Sequence, residues 1–297
     1  ITITRTATSF ERVRLSVGSL PAGMTASFDM SSVYGFGSRS VTLTINVPSG
    51  TAHGSYTVNV AADEHGNRHA ATATFVVQGD APTAQPPVTM PRTKATISST
   101  VLPARISWAA ATDASTAIAA YELQTSLDHG AWSASIAVAG TVRTANATQT
   151  VGHVYQYRVR ARDSAANWSA WATGPTMTSS LVQDRSTVVS YSGTWKKSLY
   201  SGASGGSTTY ATAAGANTRL TFSGRAIALV APVGPTRGSG AIYVDGVYKT
   251  TVSFRATSGR SRMVMYATSF ATVGTHTITL RVRGNGRVDL DAFVILR

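Results

Sequence analysis

The chain has 297 residues and no Cys, with 26 Lys and Arg against 13 Asp and Glu and a formal net charge of +13. Lack of Cys excludes disulfides and thiolate metal centres, so stability must come from packed cores. No apolar run reaches transmembrane length, and with only three Glu (Glu11, Glu64, Glu122) the paired carboxylates of a glycosidase have few candidates.

Short alternating runs recur between Gly, Pro, Ser and Asn clusters, and no long helical period is evident. This predicts an all-β chain of three tandem β-sandwiches. In residues 1–79, runs fall near 1–6, 12–19, 25–29, 39–47, 54–62 and 69–77. Pro21-Ala-Gly23 reads as a turn in which Pro presets φ and Gly supplies a positive one. Asp63-Glu-His-Gly-Asn-Arg-His69 holds enough ligand-type residues for a metal on paper, but its position between two runs and its Gly66-Asn67 pair read as a hairpin. The order of these elements resembles the bacterial immunoglobulin-like repeats of secreted proteins. Six runs against the seven of a full sandwich point to a missing first strand and an open edge: either the sequence starts late, or a neighbouring chain or upstream segment fills the edge by β-augmentation. Starting at Ile1, without Met or a signal-peptide pattern, the chain reads as a portion of a longer precursor.

Gly79-Asp-Ala-Pro-Thr-Ala-Gln-Pro-Pro-Val88 is a Pro-rich, semi-rigid spacer leading into residues 80–181. Within the run 153–171, Tyr155, Tyr157, Val159 and Ala161 share one strand face, and Gln156, Arg158, Arg160 and Arg162 the other. With Trp108 and Tyr121 upstream, this resembles a fibronectin type III module. The resemblance implies that Tyr155 forms a tyrosine corner and that Trp108 is buried. Trp168 and Trp171 are expected to cover the end of the core, with a sugar platform as the alternative.

Residues 182–297 carry Tyr191-Ser-Gly-Thr-Trp195, Thr218–Gly224, Ala226–Val230, Ala241–Val247, Gly274–Leu280 and Val288–Leu296. The Val-Asp-Gly turn, the Gly-Thr-His-Thr-Ile start and the terminal Asp-Ala-Phe strand resemble the galactose-binding-like jelly rolls, similar to carbohydrate-binding modules, of bacterial extracellular proteins. Charge is concentrated here: 14 basic against 4 acidic residues, compared with 5 against 4 in residues 1–79 and 7 against 5 in residues 80–181. Such a field argues for an anionic neighbour, with a solubilising face as the alternative. Trp195, Tyr200 and Tyr210, in Ser/Gly-rich sequence, are the candidates for stacking on a sugar, and Lys196 and Lys197 beside them favour an acidic one. Asp184, Asp289 and Asp291 are the calcium candidates that the resemblance implies, although the acidic pair usual on the first strand is missing around Gln183-Asp184. Gly202-Ala-Ser-Gly-Gly206 has the letters of a nucleophile elbow without its strand and helix.

These readings converge on a non-catalytic, extracellular adhesion or carbohydrate-binding segment of a larger secreted bacterial protein. Its expected partners are an acidic polysaccharide, a cell-wall polymer or neighbouring copies of itself. Nucleic acid is set aside, because aromatic and basic residues are not evidently interleaved on one sheet face. Two alternatives stand beside this reading: a structural subunit of a surface layer or filament, and the accessory C-terminal region of a secreted hydrolase such as a protease.

Overall fold

The computed structural model describes residues 1–3 and 11–297, and among them every regular element is a β-strand. Of the expected run 1–6, residues 4–6 lie outside the described residues. A four-stranded sheet in the N-terminal region is ordered Ser32–Val33, Val13–Val17, Gly54–Glu64, Asn67–Val77. Thr25–Phe28 pairs with Leu43–Asn46, and Thr2–Ile3 with Arg39–Ser40. The core is small, built on Val13, Leu15, Val33 and Val41. His65 at φ 50° and Gly66 at φ 88° close the long hairpin, so the acidic and imidazole groups of 63–69 lie at its tip, in the turn and in the strand ends beside it.

The middle region packs Val88–Pro91, Val101–Ser107 and Thr144–Thr150 against Ile118–Leu127, Ile136–Ala139 and Val154–Asp163. Ile106, Trp108, Tyr121, Leu123, Tyr157 and Val159 fill the space between. Two buried tyrosines fix backbone across this core: the Tyr155 hydroxyl accepts the Thr150 N–H at 2.9 Å, and the Tyr121 hydroxyl accepts that of Ala111 at 2.7 Å.

The C-terminal region is built on two long strands, Asn217–Val233 and Arg260–Val282, that run through both layers of a sandwich. Residues 217–224 pair with 274–281, and beyond a register shift residues 226–233 pair with 260–269. Leu220, Phe222, Ile242, Phe254, Ile278 and Phe293 are among the side chains buried between the layers.

Strand Met177–Gln183 joins the middle and C-terminal regions. Its first residues pair with Val154 and Tyr155, and from Ser179 to Gln183 it pairs with Ala292–Leu296, so a single 11-stranded sheet runs through both regions. The boundary expected at 181/182 therefore falls inside a strand. A second seam forms where the Lys94 N–H donates to Val264 O, the Val264 N–H to Ala95 O and the Ile97 N–H to Arg262 O. Between these seams Ile97, Leu102 and Met177 pack on Ala226, Val230 and Val294 in a core of their own. The runs Ala226–Ala231 and Ala292–Leu296 are apolar without alternation because both faces are covered: Ile227, Leu229 and Phe293 face the sandwich interior, while Ala228, Val230 and Val294 face the middle region.

Candidate functional site

Lys196–Leu199, Ser207–Ala211 and Val288–Leu290 form a separate three-stranded sheet. Its register sets Lys196 opposite Tyr210 and Tyr210 opposite Asp289, which places the three on one face. Asp289 is fully buried. It accepts from Thr208 Oγ1 at 2.9 Å and from Arg287 through Nε at 3.0 Å and Nη2 at 2.6 Å, with Arg237 Nε 3.3 Å away. The Arg287 guanidinium also lies 3.7 Å over the Tyr210 ring. The loops carrying the two arginines are tied together, since the Gly238 N–H donates to Arg287 O at 2.8 Å. One buried carboxylate thus orients two half-exposed guanidinium groups. Because Arg287 spends its Nε/Nη2 edge on Asp289, its Nη1 donors point away from the carboxylate. Together with exposed Lys196, this face has the donors to hold a carboxylate or the hydroxyls of a sugar.

The other stacking candidates do not join it. Trp195 packs against the core, 5.0 Å from Tyr191 between ring centroids, and its Nε1 donates to Ser192 O at 3.1 Å. Tyr200 lies over Gly202, where a Cβ would stand 2.9 Å from its Cζ. Lys197, exposed, projects to the opposite side from Lys196 by strand alternation. The expected platform of Trp195, Tyr200 and Tyr210 is therefore not assembled: one ring closes the core, one leans on a loop, and the third is capped by a guanidinium.

The three calcium candidates do not converge either. Strand Val288–Leu290 belongs to one sheet and Ala292–Leu296 to another, so the chain changes layers at Asp291 and separates it from Asp289. Asp291 instead neighbours Asp184, whose N–H donates to Asp291 O at 2.9 Å. Asp184 accepts from Ser207 Oγ at 3.1 Å and Thr209 Oγ1 at 2.7 Å, and Asp291 Oδ1 from the Ser204 N–H and hydroxyl at 2.9 and 2.7 Å. Burial, helped by the Asp184 charge, pushes the Asp291 carboxyl up to about 6. Asp291 Oδ2 and Arg262 Nε are both buried without a partner. An unpaired acceptor with a guanidinium in its field suits a bridging water better than a divalent cation, and among the described residues no three ligand-type side chains group to hold one. These residues do not fit calcium. The Ser204 of the elbow-like letters sits in a turn and spends its hydroxyl on Asp291.

In the middle region the structure reveals an interleaving that the sequence reading missed. Arg158 lies 4.2 Å over Trp132 and 4.4 Å over Trp171, Arg160 lies 4.6 Å over Trp171 and 4.3 Å over Trp168, and Arg162 lies 5.6 Å over Trp168. Trp168 and Trp171 therefore stack on the outer arginine face rather than covering the end of the core. Arg158 is held by Gln124, and Arg160 forms an ion pair with Glu122. The guanidiniums already occupy the rings, so the ladder is a structural brace and leaves little room for sugars or bases. Arginines at 158, 160 and 162 on a solvent face, followed by two tryptophans three residues apart, were the available signal.

Burial also sharpens the charge asymmetry. Of the four acids in residues 182–297, Asp184, Asp289 and Asp291 are buried, leaving Asp245 alone at the surface, where it holds His276 at 2.8 Å.

No protein-family model matches the chain, and no curated protein matches it in sequence. Among solved structures it is similar to a CBM35 module of Abf62 from Cellvibrio japonicus, at 15% identity and TM-score 0.32, over 40% of this chain and 96% of that one. A family two carbohydrate esterase from the same organism aligns at 11% identity and TM-score 0.31, over 40% of this chain and 34% of the esterase, so the match spans about a third of that enzyme. An exo-β-1,3-galactanase from Phanerochaete chrysosporium aligns at 12% identity and TM-score 0.32, over 82% of this chain and 78% of the enzyme.

Proposed function

We propose that this chain is a non-catalytic, extracellular binding segment of a larger secreted bacterial protein, and that it takes an acidic polysaccharide through the Lys196–Tyr210–Arg287–Arg237 face. The carrying observation is the buried Asp289, which fixes two guanidiniums with donors to spare on a surface that has one exposed acid. Pre-oriented donors lose little freedom on binding, which is where affinity for a flexible polymer is usually lost. The test is calorimetric titration of the whole chain with polygalacturonate and with neutral dextran. Binding to the former alone, weakened about tenfold by Arg287→Ala, supports the reading; equal binding to both, or none, sinks it. An assembly role has one observation behind it: Asn67–Val77 pairs, among the described residues, only with Gly54–Glu64, and it is exposed over most of its length. Light scattering across concentration separates the two, since an assembly subunit polymerises and a binding segment does not.

A further inference from the structure

A groove of about 570 Å³ opens where the middle and C-terminal regions meet. One wall is Thr250–Ser253 of the edge strand Val247–Ser253, which pairs only with Ser239–Val244 among the described residues. The facing wall is Met265–Ala267, beyond the point where Lys94–Ile97 stop covering that strand's edge. The turn Thr93-Lys94 closes one end. Lys94 itself is at φ 63°, a backbone conformation unfavourable for a side-chain-bearing residue, and is held there by its N–H bond to Val264 O at 2.8 Å. Docking of the two regions therefore closes this end of the groove and brings Lys94 to it.

Its chemistry is one-sided. Lys94, Arg255 and Arg260 line it, all exposed, with no carboxylate among the lining residues. Among the lining residues Thr250, Thr251, Ser253 and Tyr266 carry hydroxyls, with that of Thr251 3.0 Å from the Tyr248 hydroxyl and that of Ser253 accepting the Arg255 N–H, and burial raises the Tyr266 pKa, so its hydroxyl is a proton donor at neutral pH. The two strand edges add peptide N–H and C=O groups. Many hydroxyl and peptide groups around a few cations match a polymer with many hydroxyls and regularly spaced negative charges. Single-stranded nucleic acid would need a run of free aromatic faces, and Tyr266 is the one aromatic in the lining. A peptide adding as a strand would need alternating side-chain pockets, whereas this lining is mostly small hydroxyl and flat aliphatic groups.

We propose that this groove is a second ligand site, formed jointly by the two regions, for an anionic polysaccharide. It rests on the ligand class proposed above but not on the Tyr210 face. Gly234 links the two places: its carbonyl accepts the N–H of Ala256, in the groove lining, at 3.1 Å and that of Arg237 at 3.2 Å. Because the site spans the seam, occupancy also stabilises the docking of the two regions.

The experiment uses the whole chain and three variants. One lacks the groove cations (Lys94→Ala, Arg255→Ala, Arg260→Ala). One lacks three cations from the outer sheet face (Arg219→Ala, Arg281→Ala, Arg283→Ala), which controls for net charge. The third is Arg287→Ala, at the Tyr210 face. All are exposed or half-exposed positions, and circular dichroism checks folding before titration with polygalacturonate, dextran sulfate, neutral dextran, poly-L-glutamate and single-stranded DNA. Expected is a loss of about tenfold or more in affinity for a charged glycan in the groove variant, and much less in the charge control. Equal losses in those two variants, or no loss in the groove variant, overturn the site. If wild type binds glycan and only Arg287→Ala weakens it, the groove falls while the proposed function stands. If no glycan binds wild type, both fall. Poly-L-glutamate or DNA binding through the groove cations more tightly than either charged glycan refutes the ligand class. Polygalacturonate and dextran sulfate separate carboxylate from sulfate as the group recognised.

Discussion

Replacing Asp291 by Asn should make this protein more stable at neutral pH, although the carboxylate is fully buried and hydrogen-bonded to Ser204. Burial raises its pKa from 3.8 to about 6, so between those values the folded chain binds a proton that the unfolded chain does not. Stability conferred by the protonated form is complete below about pH 4 and is lost as pH rises through about 6. At 1.36 kcal/mol per pH unit the loss is about 3 kcal/mol, or about 6 °C in melting temperature at roughly 2 °C per kcal/mol for a chain of this size. Asn keeps the Oδ1 acceptor for Ser204 and carries no charge. Melts of wild type and Asp291→Asn from pH 4.5 to 8 should therefore diverge upward, with the variant gaining on wild type until about pH 7. The attraction of Arg262 already acts within that raised value and does not reverse its direction. A difference between the two that does not vary with pH refutes the reasoning. So does a rise of several degrees in the wild-type melting temperature with millimolar calcium at neutral pH, since that would put a cation at the unpaired Asp291 Oδ2, in the field of the Arg262 guanidinium.

Other features of the structure give sharp expectations. Ile97→Ala, in the middle region, removes a side chain from the core shared with Ala226, Val230 and Val294 and should cost about 2–5 kcal/mol in a single cooperative melt of both regions; separate transitions would show that they fold independently. For the same reason residues 182–297 expressed alone should aggregate, because the face bearing Ala228, Val230 and Val294 loses its cover; a soluble monomer would contradict the shared core. Trp171→Ala empties the place between Arg158 and Arg160 and should destabilise by about 2 kcal/mol in chemical denaturation, with Trp171→Phe recovering some of it. Asp245 holds the Thr277 N–H and His276, and these bonds depress its pKa. Asp245→Ala should therefore lower the melting temperature at pH 7, and the gap from wild type should begin to narrow only as pH falls below the ordinary carboxylate value of 3.8 towards the depressed folded one; a gap that narrows instead between pH 7 and 5, where both states are ionised, would refute the clamp.

Strand identity and turns were legible in the sequence because both depend on neighbours a few residues apart. Tyr155, Tyr157, Val159 and Ala161 alternate against Gln156, Arg158, Arg160 and Arg162, and the structure buries the first set and exposes or half-exposes the second. The Asp245-Gly246 turn closes its hairpin with both residues at positive φ, as the dipeptide requires. What lay beyond the sequence depends on contacts between residues far apart. Alternation puts Asp289 and Asp291 on one face only if a single strand contains both, and the change of layer at Asp291 cancels that relation. Nothing near Trp195 distinguishes a ring that closes a core from one that waits for a sugar; its packing beside Tyr191 decides it. The unbroken apolar runs 226–231 and 292–296 have the pattern of strands covered on both faces, a signal that their reading as ordinary sandwich strands passed over. That the cover is the middle region of the same chain, and that docking it closes a cationic groove with Lys94 at its end, is a property of the packed whole, because burial is shared by surfaces that no local pattern relates.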